Sequence, residues 1–94
     1  MEIEELEWYP ENIAKLAAHG VTQYDVHAMI FEEDAWVVDI DEEYPDQIRV
    51  TGPTPTGRFI TLALEPTEKP AAWRPVTGWP STTDEIAYYR EVRQ

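Results

Sequence analysis

The spacing of apolar positions changes period along the chain, and each change marks a passage between helical and extended segments. Leu6 to Trp8 reads as a short strand closed by Tyr9-Pro10. Pro10 suits a first helical turn, where its missing N–H costs nothing, and Ile13, Leu16 and Ala17 then share one face until Gly20 ends the helix as a left-handed cap. A second helix opens at once. Thr22 is its N-cap, with Asp25 completing a capping box; Val21 and Val26 form a hydrophobic staple, and Val26, Met29 and Ile30 make its buried stripe. Glu32-Glu33-Asp34 is ill placed at a helix C-terminus, where the dipole prefers cations, so this helix is expected to end near Phe31.

From Trp36 onward the period is two: Trp36, Val38 and Ile40 lie on one face, Val37 and Asp39 on the other. Ile48 to Thr51 turns Ile48 and Val50 inward and Arg49 and Thr51 outward. Pro53 to Gly57 reverses the chain, and Phe59 to Leu64 is nearly continuously apolar, which marks a central strand covered on both faces. Ala72 to Thr77 is the last strand. Pro75 cannot donate to a ladder and calls for an edge or a bulge, while simple alternation places Trp73, Pro75, Thr77 and Trp79 opposite Arg74. After Gly78-Trp79-Pro80, Thr82 to Glu85 is a second capping box, opening a helix in which Ile86, Tyr89 and Val92 can face the sheet.

The order β, α, α, β, β, β, β, α with short connections predicts an α+β, two-layer fold. Its four- to five-stranded, mainly antiparallel meander sheet is packed by two N-terminal helices and one C-terminal helix. Residues 1–94, 43% of them apolar, suffice for a single domain with one core.

Charge narrows the possible partners. Nineteen acidic residues against seven basic ones leave a net charge of −12, which repels phosphate backbones and anionic lipid unless the few cations gather in one patch. Basic partners are favoured. The absence of cysteine excludes disulfides, thiolate nucleophiles and Cys-ligated metal centres. The acidic start, Met1 to Glu5, lacks the cations and apolar run of a secretory signal, and no segment is long and apolar enough to span a bilayer, so a cytoplasmic protein with no membrane association is expected.

Between Glu11 and Val21 the chain carries an Asn, a Lys and then His19-Gly20-Val21, and the next helix ends in Ile30-Phe31. Arg49-Val50-Thr51-Gly52 and Gly57-Arg58-Phe59 follow, and Trp73-Arg74-Pro75-Val76-Thr77 precedes Asp84-Glu85 and Tyr88. Over nearly the whole chain this pattern resembles the BrnT family, the RelE-like ribonuclease toxins of bacterial toxin–antitoxin pairs. The resemblance implies a RelE/BrnT-like fold and a metal-independent endoribonuclease acting on RNA without a cofactor. It also implies a cognate antitoxin, a small DNA-binding protein, that neutralises the toxin by covering its site. Two departures stand out: the family usually continues its last strand with a small residue and an Arg, whereas Gly78 and Trp79 stand here, and its toxins are mostly basic or near neutral. The alternative is a catalytically inactive BrnT-like protein-interaction module. A third, an acidic nucleic-acid mimic filling a basic protein groove, rests on net charge alone.

Five residues are candidates for the site. His19 sits at a helix C-terminus, where the dipole raises imidazole basicity; it is a candidate acid or base, or simply a cap. Arg49, Arg58 and Arg74 come from three strands or strand ends that a meander could bring to one surface. There they would hold phosphate and stabilise charge on its oxygens while a neighbouring group assists attack by a 2′-hydroxyl. Alternatively, each pairs with one of the many carboxylates. Tyr88 adds stacking or a phenolic acid, although helical spacing with Tyr89 also suits a core position. His27 falls off the buried stripe and is expected to be solvated. Asp39 to Asp46 lacks the Gly and spaced ligands of a calcium loop, so it is expected to be a solvated acidic hairpin tip able to dock a basic segment. No metal site is expected.

Overall fold

Pro10 occupies the first position of helix α1 (Pro10–Ala18) in the computed structural model, which describes residues 1–94. The helix ends in a Schellman motif: Gly20 adopts φ +77°, its N–H reaches the Ala17 carbonyl at 2.9 Å, and the Val21 N–H reaches Leu16 at 2.9 Å. Its buried positions are Asn12 and Leu16 while Ala17 is exposed, so the inward face is rotated from the one expected. Helix α2 (Gln23–His27) carries both hydrogen bonds of the Thr22–Asp25 capping box. It then widens into a π-helical stretch, Ala28–Glu33, whose end is marked by Asp34 at φ 49° donating its N–H to the Met29 carbonyl. The helical segment therefore runs past Phe31, and the wider turn keeps Ala28, Met29 and Ile30 buried in succession.

The strands are β1 (Glu5–Leu6), β2 (Val37–Ile40), β3 (Ile48–Pro53), β4 (Phe59–Pro66) and β5 (Ala72–Pro80); the middle three lie close to the expected spans, whereas β1 stops at Leu6 short of Trp8 and β5 continues past Thr77 through Gly78, Trp79 and Pro80. Their order across the sheet is β1-β5-β4-β3-β2, which places β4 at the centre as its apolar run implies. Strands β2 to β5 form an antiparallel meander, but β1 pairs parallel to β5, so the sheet is mixed. The helical segments carry the chain from one edge of the sheet to the other before the meander returns to lie beside β1. Leu16, Val21, Val26, Met29 and Ile30 pack against Val50, Ile60, Leu62 and Leu64, forming the main core.

Pro75 lies at a bulge, paired with β4 on one side and two residues beyond the last β1 pair, Leu6 with Trp73, on the other: Ala63 pairs with Thr77 and Leu64 with Pro75, skipping Val76. The extra residue reverses the alternation. Pro75 and Trp73 share the core face with Leu64, whereas Thr77 and Trp79 share the opposite face with Arg74, correcting the uniform alternation expected for this strand.

A second correction concerns layering. Helix α3 (Thr83–Val92) opens on the Thr82–Glu85 capping box. Its Glu85 reaches Trp79 and its Tyr89 ring meets Phe59 edge-on at 5.0 Å. In the ladder Trp79 pairs with Thr61 and Thr61 with Thr51, on the face opposite Val50 and Leu62. Helix α3 therefore covers the other side of the sheet, giving three layers at that end. None of its residues is fully buried. No helix is long and apolar enough to cross a membrane.

Candidate functional site

Strand alternation and register bring Asp39, Arg49 and Thr51 side by side on the second face, and α3 closes over them with Asp84, Glu85 and Tyr88. The result is an open cavity of about 190 Å³. Its floor is held by a hydroxyl chain, Thr51 Oγ1 to Thr61 Oγ1 at 2.9 Å and Thr61 Oγ1 to Ser81 Oγ at 2.8 Å. Arg49 Nη2 pairs with Asp41 Oδ2 at 3.1 Å, and its guanidinium stands 5.8 Å from the centroid of the Trp79 ring. Trp79 Nε1 donates to both Glu85 carboxylate oxygens, at 3.0 and 3.2 Å. Tyr88 Oη donates to the Val38 carbonyl at 3.1 Å.

On the rim the Asp84 carboxylate makes no hydrogen bond, Asp39 keeps one oxygen free while its Oδ1 accepts from the Ile40 N–H, and the buried Nε of Arg49 has no partner. A phosphate placed beside Arg49 would meet three carboxylates, Asp39, Asp84 and Glu85. At equal distance each carboxylate repels such a phosphate by as much as Arg49 attracts it, and Arg49 is already paired with Asp41, so the net field of the cavity opposes an anion. The same arrangement suits a cation. No group of three or more His, Asp or Glu side chains is arranged to hold a metal ion.

The other predicted site residues lie elsewhere. Arg58 Nη2 donates to the Gly20 carbonyl at 2.8 Å and Nη1 stands 3.6 Å from Asp25 Oδ2, so it ties the end of α1 to the cap of α2. His19, next to Gly20, is an exposed C-cap whose imidazole makes no hydrogen bond. Arg74 Nη1 donates to Glu65 at 2.7 Å, and its guanidinium lies 4.4 Å from the Tyr9 ring centroid. The hydrogen bond to Glu65, ahead of the influence of Tyr9, raises the Arg74 pKa further above its ordinary value. It lines a second cavity, of about 450 Å³, with Tyr9, Lys69 and Glu68 near the β1 edge.

Of the five candidates, the fold thus brings Arg49 and Tyr88 into one cavity, sets Arg58 against the residue that follows His19, and leaves Arg74 apart. Each of the three arginines faces a carboxylate. Sequence reading passed over Asp41, expected as part of a solvated tip. Only 7% exposed, it accepts the N–H groups of Glu43 and Tyr44 at 3.0 and 3.3 Å while pairing with Arg49. The signal was an Asp at the first position of a turn, where its side chain imitates a backbone carbonyl. His27 is exposed as expected, its ring 5.1 Å from Phe31. No protein-family model matches this chain, and no curated protein is significantly similar to it.

Proposed function

We propose that this chain is a non-catalytic protein-interaction module that engages a basic partner. One observation carries the reading: the cavity holding Arg49 and Tyr88 is ringed by Asp39, Asp84 and Glu85, while Arg49, Arg58 and Arg74 stand apart and each faces its own carboxylate. A surface of this kind disfavours a phosphodiester and favours lysine or arginine side chains. The test is titration with poly-lysine at increasing salt. Binding that weakens steadily with ionic strength is expected, and no binding at low salt overturns the reading.

The second reading is a BrnT-like toxin, a metal-independent endoribonuclease held in check by a cognate antitoxin. The meeting of Arg49 and Tyr88 in one cavity favours it, since a guanidinium and a phenol can together hold a phosphate and protonate a leaving oxygen. Incubation with total RNA separates the two. Cleavage that disappears in Arg49→Ala and Tyr88→Phe establishes the nuclease, whereas intact RNA and unimpaired growth on induced expression support the interaction module.

A further inference from the structure

The outer edge of β2 is the last strand edge of the sheet, and hydrogen-bond phase shows which of its groups are free. The Thr54 N–H donates to the Arg58 carbonyl at 2.8 Å, extending the β3–β4 ladder beyond the Pro53–Phe59 pair. Bonded pairs recur at alternate residues, so Gly52, Val50 and Ile48 turn their backbone groups toward β4, and Thr51 and Arg49 turn theirs toward β2. Their partners Val37 and Asp39 face β3, which leaves Val38 and Ile40 directing N–H and C=O outward. Side chains occupy two of these four groups: Tyr88 Oη donates to the Val38 carbonyl at 3.1 Å, and the Ile40 N–H donates to Asp39 Oδ1 at 2.8 Å. The opposite edge is blunted differently. There β1 pairs with the start of β5, Pro75 and Pro80 offer no N–H, and Asn12 Nδ2 donates to the Val76 carbonyl.

We infer that the β2 edge is a docking edge for an extended basic segment of a partner protein, added to the sheet as a sixth strand; the inference rests on the interaction reading above. Ile40, 71% exposed, lies on the core face of the sheet with Val38, and an added strand that brings apolar residues opposite both covers them. Asp39 points to the other face, beside the cavity, so a Lys or Arg opposite it meets the free oxygen of Asp39 and lies toward Asp84. The motif recognised is apolar–cationic–apolar. Charge selects the same occupant: Glu42, Glu43 and Asp46 continue directly from β2, and the whole chain carries −12. A second copy is disfavoured, because its own acidic β2 would be drawn against this one at a net charge of −12 on each partner. Tyr88 and Asp39 act as internal stand-ins that the incoming backbone replaces.

The probes are a synthetic peptide of alternating Val and Lys, its Val–Glu counterpart, and poly-lysine, with affinity read by fluorescence anisotropy and backbone protection by hydrogen exchange. The Val–Lys peptide is expected to slow exchange at Val38 and Ile40 and to bind on the order of tenfold or more tighter than the Val–Glu peptide. Ile40→Pro removes an outward N–H without touching the β3 ladder and should abolish the binding, with circular dichroism confirming the fold. Tyr88→Phe frees the Val38 carbonyl and should tighten it. A Val–Lys peptide N-methylated at alternate amides repeats the test on the unaltered protein and should fail to bind. If poly-lysine binds while the Val–Lys peptide leaves β2 unprotected, or is indifferent to Ile40→Pro and to N-methylation, the edge is refuted and the interaction reading stands. If neither cationic probe binds, both fall.

Discussion

Gly78→Ala probes a tight contact of β5 with β4 and with Leu16 of α1. Gly78 pairs with Leu62 on the core face, and a Cβ at this position would lie 2.8 Å from Leu62 Cδ2, 3.2 Å from the Thr61 carbonyl oxygen and 3.3 Å from Leu16 Cδ2. Leu62 and Leu16 are both fully buried, so neither methyl can swing into solvent, and the carbonyl belongs to the central strand. Overpacking of this kind costs about 1–3 kcal/mol. The stiffer unfolded chain of an Ala variant offsets about 0.4–1 kcal/mol of that. The net expectation is a destabilisation of about 1–2 kcal/mol, or a Tm lowered by about 5–15 °C for a domain of this length. Urea titration should show a lower midpoint with an unchanged slope. The clash is with Leu62 in particular, so Gly78→Ala should cost less in a Leu62→Ala background than alone. An unchanged or raised midpoint, or strict additivity of the two substitutions, would refute the packing argument.

Thr61→Val should destabilise by about 1–3 kcal/mol, because the hydroxyls of Thr51 and Ser81 lose their shared buried partner. Thermal unfolding of Thr51→Val/Thr61→Val should show a loss smaller than the sum of the two single variants. Asp41→Ala should cost about 2–3 kcal/mol by removing a buried acceptor of two N–H groups, and Asp41→Asn about half as much because it keeps the turn. The reverse order in chemical denaturation would sink that account. Lys69 donates to Glu5 at 2.6 Å, and this hydrogen bond, followed by the Coulomb attraction of Glu5, raises its pKa above the usual lysine value. The folded state thus holds the proton more tightly than the unfolded chain, so the contribution is complete below the ordinary lysine range and fades as pH rises through the raised value. The Tm difference between wild type and Lys69→Met should be small, constant near neutrality, and vanish at strongly alkaline pH.

Local chemistry made much of the fold legible. Pro10, Gly20, the two capping boxes and the Phe59–Leu64 run mark elements within a few residues of where they occur, because each signal acts over neighbouring positions. Pro75 was recognisable as a bulge or edge residue, yet the consequence of the bulge was not. One skipped residue moves Arg74 onto the face of Thr77 and Trp79, and only the pairing with β4 reveals which residue is skipped. The candidate site was half legible. Arg49 and Tyr88 were singled out and do share a cavity, but its three carboxylates were read only as a hairpin tip and a helix cap.

What the amino-acid order settled by itself is the inventory of this protein: which segments coil, which extend, where they stop, and an excess of negative charge that no arrangement can remove. Tertiary structure decided the neighbourhoods. It set β1 beside β5, laid α3 on the far side of the sheet, and assigned Asp41, Asp25 and Glu65 to Arg49, Arg58 and Arg74. The physical reason is range. Caps and periodicity are satisfied within a turn or a strand, whereas an arginine among nineteen carboxylates finds its partner only after chain crossings and register have brought one of them within reach.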